Sequence, residues 1–240
     1  MNALKKNLLF LGSLLLHSKD SKIIFYHDVF DQKQNTDMGT PLELFKQHLT
    51  TVEKSGFEIV SQISQTQKQI QITFDDGFRG LWECRKFFYK QNWKPTVFIA
   101  VDLIGQDGYL SRNEILELQE QGFIFQSHGW KHQVLTDFHG QDLIHEIAGS
   151  KQYLSELLNK EVDELCFPVG FFSEEILKCC SAAGYRKLYS SIPGNYDHPV
   201  FPQVVRRNLV QFYSAKEVSW VLHGALTPFA KRYFNMHFHK

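Results

Sequence analysis

The sequence of 240 residues has no excess charge of either sign, no internal repeat and no low-complexity segment. Lysine plus arginine number 26, as do aspartate plus glutamate, so the formal net charge is zero. Nucleic-acid-binding domains usually carry a clear basic excess, so we expect no nucleic-acid partner. The chain also lacks a long Ser/Gly/Pro linker, and its hydrophobic content of 43% is typical of an ordinary globular domain.

Cysteine is scarce, and its pattern excludes a cysteine-based metal site. The four cysteines are Cys84, Cys166, Cys179 and Cys180, and no pair has the spacing of metal ligands. We interpret them as reduced core residues, which favours a reducing compartment and therefore a cytoplasmic location.

No apolar run is long enough to cross a bilayer. Lys5 and Lys6 precede an apolar run over residues 8–16, which is shorter than the roughly 20 residues that a spanning helix needs. The polar segment 17–20 that follows offers no small-residue cleavage site. We therefore predict an uncleaved N-terminal helix over residues 1–22, packed on the domain or in contact with a membrane surface, and one domain over residues 23–240. Secretion is the less favoured alternative.

Predicted strands and helices alternate along the domain. The strands begin at residues 23–27 and end at Val204–Arg207, and possible capping boxes start helices at Thr40, Ser111 and Ser214. Repeated β–α units imply parallel strands with right-handed crossovers. Periodicity alone does not distinguish an open sheet from a closed barrel.

Two strands are followed by residues that can carry chemistry. Asp75-Asp76-Gly77 follows the apolar strand 70–74, and His128 and His132 follow the apolar segment 123–125. Histidines four residues apart lie one helical turn apart, so both imidazoles can face one point. One carboxylate and two imidazoles would form a three-ligand metal site with an open position, and the second carboxylate could act as a base. The alternative is a turn-capping aspartate with two surface histidines.

The two segments resemble the first signature motifs of the metal-dependent polysaccharide deacetylases. The matching residues are Thr73-Phe74-Asp75-Asp76-Gly77 and Ser127-His128-x-x-x-His132. The resemblance extends from about residue 23 to about residue 209, and includes segments 24–29, 95–99 and Phe167-Pro168-Val169-Gly170. It implies an α/β fold, a single-domain distorted (β/α)7-type barrel, with the motifs at the carboxyl ends of strands.

The resemblance also implies roles for individual residues. Asp76, His128 and His132 would be ligands of a divalent metal, with Zn²⁺ expected first and Co²⁺, Mn²⁺ or Ni²⁺ as alternatives. Asp75 would be the general base. The backbone N–H of Val169 would help to bind the oxyanion.

The chain departs from the family pattern at two positions. Many members have an arginine in the third motif that pairs with the base, whereas this chain has Cys166 or Phe167 there. Arg206 resembles an arginine near the last strand of another branch, so we predict that it pairs with Asp75; a surface arginine is the alternative. For the general acid we prefer His27, at the end of the first strand, to His223, which the Ser214 capping box places in a helix. A structural His27 bonded to a backbone carbonyl stays open.

The expected function is removal of N-acetyl groups from amino sugars of a polysaccharide, oligosaccharide or glycan precursor. The expected partner is therefore an N-acetylated glycan. Two alternatives remain: hydrolysis of another amide or of an O-acetyl ester, and a carbohydrate-binding protein that kept the fold but lost turnover.

Overall fold

The structure is a computed structural model that describes residue 12 and residues 16–239. The helix predicted for residues 1–22 falls largely outside the described residues, so that helix and the boundary at residue 23 stay predictions. In the described part of the chain, no helix is both long enough and apolar enough to cross a membrane.

Strands and helices alternate as predicted. The strands are β1 (Lys22–Tyr26), β2 (Asp28–Phe30), β3 (Gly39–Pro41), β4 (Glu58–Val60), β5 (Gln69–Phe74), β6 (Thr96–Ile99), β7 (Ile124–Ser127), β8 (Glu164–Cys166), β9 (Phe172–Ser173), β10 (Lys187–Tyr189), β11 (Val204–Val205), β12 (Asn208–Leu209) and β13 (Phe238–His239). The α-helices are α1 (Leu42–Lys54), α2 (Gly80–Glu83), α3 (Arg85–Phe88), α4 (Arg112–Glu120), α5 (Gly140–Ile144), α6 (Ser150–Leu158), α7 (Glu174–Ala182), α8 (Ala215–Leu222) and α9 (Ala230–His237). A π-helical turn, His145–Gly149, joins α5 to α6.

The main sheet is parallel and curls into a barrel. Its strand order is β11-β10-β8-β7-β6-β5-β1-β12, with β4 beside β5. β11 and β12 lie at opposite ends of this order, yet only Arg206 and Arg207 separate them in sequence. The chain therefore joins the two sheet edges, and β11 and β12 together act as one interrupted strand between β10 and β1. With this interrupted strand, the barrel strands are β1, β5, β6, β7, β8 and β10. This arrangement confirms the predicted single-domain (β/α)7-type barrel.

Strand residues alternate between two apolar clusters. Residues such as Ile24, Ile72 and Val97 belong to a large cluster between the sheet and the surrounding helices. A smaller cluster takes one residue from each of five strands, so it lies inside the barrel. Its members are Ile23, Phe98, Cys166, Tyr189 and Val205.

The cysteines lie in or beside this core. Cys84, Cys166 and Cys180 are buried, Cys179 is partly buried, and all four are free thiols. Their assignment as reduced core residues therefore fits the structure, whereas the compartment itself stays a prediction.

Two of the three predicted capping boxes form. The side chains of Ser111 and Ser214 each accept a hydrogen bond from the backbone N–H three residues later. The glutamate side chains at those later positions accept in turn from the backbone N–H of the serine. The prediction at Thr40 is wrong, because Thr40 lies in β3 and Pro41 is the N-terminal cap of α1. The Thr40 hydroxyl instead donates to the backbone oxygen of Gln211, 3.4 Å away.

Candidate active site

A cavity of about 440 Å³ opens at the carboxyl ends of the barrel strands. Every predicted site residue except Arg206 lines it. The lining residues are Phe25, His27, Met38, Asp75, Asp76, His128, His132, Phe167, Val169, Gly170, Ser191, Leu209, Tyr233 and His237. The cavity therefore brings residues from both of the first two motifs into one place, as the sequence predicts.

The end of β5 directs two neighbouring carboxylates to different partners. The Asp75 backbone N–H donates to the Tyr26 oxygen and continues the pairing with β1, whereas Asp76 has a left-handed backbone with φ of 72°. Gly77 follows with φ of 82°, and a Cβ there would lie 2.5 Å from Cδ1 of Ile99. A tight turn that favours glycine at residue 77 therefore follows β5. This turn lets the neighbouring carboxylates of Asp75 and Asp76 contact different partners.

The Asp76 carboxylate and two imidazoles converge on one point. His128 Nε2 lies 3.2 Å and His132 Nε2 lies 2.8 Å from Asp76 Oδ1. His128 Nδ1 lies 2.8 Å from the backbone oxygen of Cys166, which can only accept, so Nδ1 carries the hydrogen. In neutral His128 the Nε2 atom therefore has a lone pair and cannot donate to Asp76.

These three residues fit a divalent metal. Asp76 is 2% exposed, and its Oδ1 has no hydrogen-bond partner of good geometry in the described part of the chain. A buried carboxylate oxygen that faces the lone pair of the His128 imidazole is costly unless a cation lies between them. Carboxylate oxygen and imidazole nitrogen are ligands that Zn²⁺ and its neighbours accept. The carbonyl that orients His128 is the outer-shell contact that metal-bound histidines usually make.

A second cluster, Asp75, His128 and Cys166, also has ligand atoms close together. It does not fit a metal, because the Arg207 guanidinium already contacts both Asp75 and the Cys166 sulfur. Burial raises the pKa of the Cys166 thiol well above its usual range, so this side chain stays a neutral thiol. The metal assignment therefore rests on Asp76, His128 and His132.

The segment between the two histidines is an irregular loop, not the helical turn that the four-residue spacing suggested. Gly129 and His132 both have left-handed backbones, with φ of 76° and 56°. Glu146 holds the loop from the π-helical turn: its Oε2 accepts from the backbone N–H groups of Trp130 and Lys131, at 3.1 and 3.0 Å. Glu146 is 1% exposed, so this support is shielded from water.

Arg207 pairs with Asp75 through two hydrogen bonds. Its Nη1 lies 2.6 Å from Asp75 Oδ1 and its Nη2 lies 2.8 Å from Oδ2. The remaining guanidinium hydrogens reach Thr73 Oγ1, the Ser190 backbone oxygen and the Cys166 sulfur, so all five donors have acceptors. Burial alone would raise the pKa of Asp75, but Arg207 outweighs burial and holds that pKa below its usual range.

The predicted pairing of Arg206 with Asp75 is therefore wrong by one residue. Arg206 donates to the backbone oxygens of His198 and Pro193 at the surface of the barrel. The sequence predicts one strand over Val204–Arg207, but the strand stops at Val205 and resumes at Asn208 on the other edge of the sheet. The two residues that cross this seam do not keep strand alternation, and it is Arg207 that enters the barrel.

Cys166 is one of the two residues that can stand where the third motif often has its arginine, and the structure shows its contacts. The Cys166 sulfur accepts from Arg207 Nη2 at 2.8 Å and lies 3.7 Å from Asp75 Oδ2. A small side chain here leaves room for the guanidinium that enters from the seam. The guanidinium also lies 4.2 Å from the centre of the Phe25 ring, where a cation–π contact adds to the pairing.

Two further predicted residues belong to the cavity lining. His27 lines the cavity, and its Nδ1 lies 2.7 Å from Gln211 Oε1, so its partner is a side-chain amide and not a backbone carbonyl. Val169 is 53% exposed at the cavity edge, and its backbone is left-handed with φ of 59°. His223 bonds Ser219 of its own helix and is not among the cavity residues.

The sequence reasoning missed several residues at the site. A signal existed for Glu146, which is a charged residue on the inward face of a helix otherwise marked by Leu143 and Ile147. No local signal marks Gln211 or His237. His237, at the end of α9, reaches the cavity and bonds Tyr233 of its own helix through Nδ1.

Comparisons with known proteins identify the family of the chain. A sequence model of the polysaccharide deacetylase family matches residues 62–188. YxkH of Bacillus subtilis strain 168, provisionally named a polysaccharide deacetylase, is 24% identical over 183 residues; the match covers 72% of this chain and 64% of that protein, which is less than two thirds of its length.

Solved structures share the fold. The deacetylase PplD of Streptococcus pyogenes, solved in complex with acetate, has a TM-score of 0.74 at 19% identity, over 85% of this chain and 98% of that chain. IcaB from Ammonifex degensii has a TM-score of 0.74 at 18% identity, over 86% of this chain and 98% of that chain. Since the family match covers more than half of the 240 residues, the chain belongs to the polysaccharide deacetylase family.

Proposed function

We propose that the chain is a metal-dependent hydrolase that removes N-acetyl groups from amino sugars of a polysaccharide, oligosaccharide or glycan precursor. The observation that carries this proposal is the convergence of His128 and His132 on Asp76, with Asp75 beside them in the same cavity. Family membership supports deacetylation as the reaction class.

Asp76, His128 and His132 would hold the metal, with Zn²⁺ as the first candidate and Co²⁺, Mn²⁺ or Ni²⁺ as alternatives. When bound, such an ion supplies Lewis acidity and lowers the pKa of water. The chain's own contribution is the fixed arrangement of three ligands. The Cys166 carbonyl orients His128, and Glu146 holds the loop that leads to His132.

Asp75 would act as the general base. Its pairing with Arg207 keeps it ionised, so it can take a proton from the water that attacks the acetyl carbon. The Val169 N–H would donate to the developing oxyanion. Cleavage of the C–N bond then releases acetate, and the sugar nitrogen takes a proton from Nε2 of protonated His27 to leave as the free amine.

The binding-protein alternative has two supports, the lack of an arginine in the third motif and the open identity of the general acid. The first support is lost, because Arg207 supplies a guanidinium to Asp75 from the barrel seam. We also propose a cytoplasmic location, which the four free thiols support. Contact of residues 1–22 with a membrane surface stays a proposal.

Acetate release from an N-acetylated chito-oligosaccharide tests the function. We expect turnover by the parent protein, loss after chelation and recovery when Zn²⁺ is returned. Asp75→Asn should lower kcat by about 10²–10⁴-fold while it retains the metal, because the amide cannot take the proton from water. Asp76→Asn should lose the metal together with the activity.

Asp107→Asn is the matched control, because Asp107 is exposed and lies outside the cavity residues. A parent protein that binds the oligosaccharide but never releases acetate, with any of the four metals, would support the binding-protein alternative. Full activity of Asp75→Asn together with full metal content of Asp76→Asn would refute the assignment of the two carboxylates.

A further inference from the structure

Gln211 lies directly behind His27. β12 pairs with β1 in parallel, with Phe25 opposite Leu209, so the residues two positions beyond this pair end up side by side. Gln211 is 3% exposed, and it contacts His27 across a sequence separation of 184 residues. It is not among the residues that line the cavity, and His27 stands between the two.

The contacts of Gln211 fix which nitrogen of His27 carries the hydrogen. The backbone N–H of His27 can only donate, and it lies 3.1 Å from the Gln211 side chain, so the atom that faces it is the amide oxygen. That same oxygen lies 2.7 Å from His27 Nδ1. Nδ1 must therefore carry a hydrogen and donate it, and Nε2 is the nitrogen that gains or loses a proton.

The glutamine at this position has a cost as well as two hydrogen bonds. Its Nε2 is buried and has no hydrogen-bond partner in the described part of the chain, which is unfavourable for a buried amide. Leucine has a similar volume and no unpaired donor. The amide oxygen is the part of the side chain that the site uses, and both of its contacts go to His27.

We propose that Gln211 is a positioning residue that holds His27 in the Nδ1–H form, with Nε2 available to the leaving nitrogen of the substrate. The inference rests on the proposed function for its catalytic part. Because the amide is neutral, it orients the ring without adding charge. An amine leaves only when it is protonated, so the role should matter for amides and far less for esters of good leaving groups.

Two substrates separate positioning of the acid from a structural role. For Gln211→Leu we expect kcat for an N-acetylated chito-oligosaccharide to fall by roughly tenfold or more, since part of the general-acid contribution is lost. Hydrolysis of 4-nitrophenyl acetate, whose phenolate leaves unprotonated, should change less than about twofold by the same argument. Gln211→Glu keeps an acceptor oxygen and should restore much of the amide rate. Gln121→Leu, an exposed glutamine, is the control.

A double variant tests whether Gln211 acts through His27. In a His27→Gln background, Gln211→Leu should cause no further loss of amide turnover. Equal losses on amide and ester, or a full amide rate in Gln211→Leu, would overturn the proposal.

The ring tautomer can be measured without any turnover. Nitrogen NMR of the metal-loaded parent should show His27 in the Nδ1–H form, and Gln211→Leu should show a mixture of both forms. An Nε2–H parent would overturn the proposal whatever the activity. An inert parent with His27 in the Nδ1–H form would refute the proposed function and with it the catalytic part of the inference, while the positioning contact would stand.

Discussion

The cavity has two walls that the chain builds in different ways. The metal wall, Asp76, His128 and His132, comes from two short segments that directly follow β5 and β7. The seam wall consists of His27, which lines the cavity, and of Arg207 and Gln211, which are buried behind the lining. These three residues meet only because β12 pairs with β1 and closes the barrel. The residues of the metal wall can be recognised from the local sequence of two segments. The residues of the seam wall come together only when the barrel closes.

The walls also differ in how their buried charged groups are paired. Arg207 on the seam wall has an acceptor for each of its five donors. Asp76 on the metal wall has a buried oxygen without a hydrogen bond of good geometry in the described part of the chain. The first arrangement is complete in itself and preorganises Asp75, whereas the second one calls for a cation.

The largest expected effect is a loss of stability on the seam wall. There Arg207 is buried, whereas its neighbour Arg206 lies at the surface of the barrel. Arg207→Met should destabilise the fold by about 3–5 kcal/mol, because it leaves the Asp75 carboxylate buried without its partner. Arg206→Met, the matched control, removes two bonds to partly exposed carbonyls and should cost about 1 kcal/mol. Urea unfolding of both variants measures the difference.

If Arg207→Met fails to fold, the double variant Asp75→Asn/Arg207→Met provides the check. Removing both charges should recover part of the loss, since no unpaired buried carboxylate remains. Equal destabilisation by the two single arginine variants would remove the distinction between the neighbours, and the prediction from sequence, Arg206, would again be open.

Local sequence was enough to predict the metal wall and not the seam. Asp75 and Asp76 follow a clear apolar strand, so their place at a strand end could be predicted from the pattern of residues 70–77. Arg206 and Arg207 follow two valines that also read as a strand, but that strand breaks after Val205. Because strand side chains alternate between faces, an error of one residue reverses inside and outside.

The missed contact of Gln211 has the same cause. Gln211 has no motif of its own and gains its contact to His27 only from the register of β12 on β1. Thr40 shows the converse: it has the sequence of a helix cap, but a tertiary bond to the Gln211 backbone uses its hydroxyl. Tertiary contacts between distant segments therefore override local propensity at this seam.

A smaller effect is expected on the metal wall, where Glu146 supports the loop between the two histidines. Glu146→Leu removes the acceptor of two backbone N–H groups and should weaken zinc affinity by about 10–100-fold, the usual range for residues that orient metal ligands. Glu146→Gln keeps an acceptor oxygen and should retain most of the affinity. Competition with a chromophoric chelator measures both.

Glu156→Leu, an exposed helix position, is the control for the change of residue type. If Glu146→Leu bound zinc as tightly as the parent, the loop would hold its shape without Glu146. The metal wall would then be as independent of distant contacts as its sequence motif suggests, and the comparison between the walls would become sharper.

The smallest expected effect concerns Val169, an exposed residue of the cavity lining. A β-branched residue is poorly suited to its left-handed backbone, whereas asparagine accepts that conformation more readily. Val169→Asn should therefore stabilise the fold by ~1 kcal/mol in urea unfolding, because it relieves local strain. Val169→Thr keeps the β-branch and should give no gain.

Since only the backbone N–H of residue 169 is proposed to touch the substrate, kcat for the N-acetylated oligosaccharide should stay within about twofold in both variants. A tenfold fall in kcat for Val169→Asn with an unchanged fold would mean that the side chain itself contacts the sugar, and the edge of the cavity would then take part in choosing the substrate.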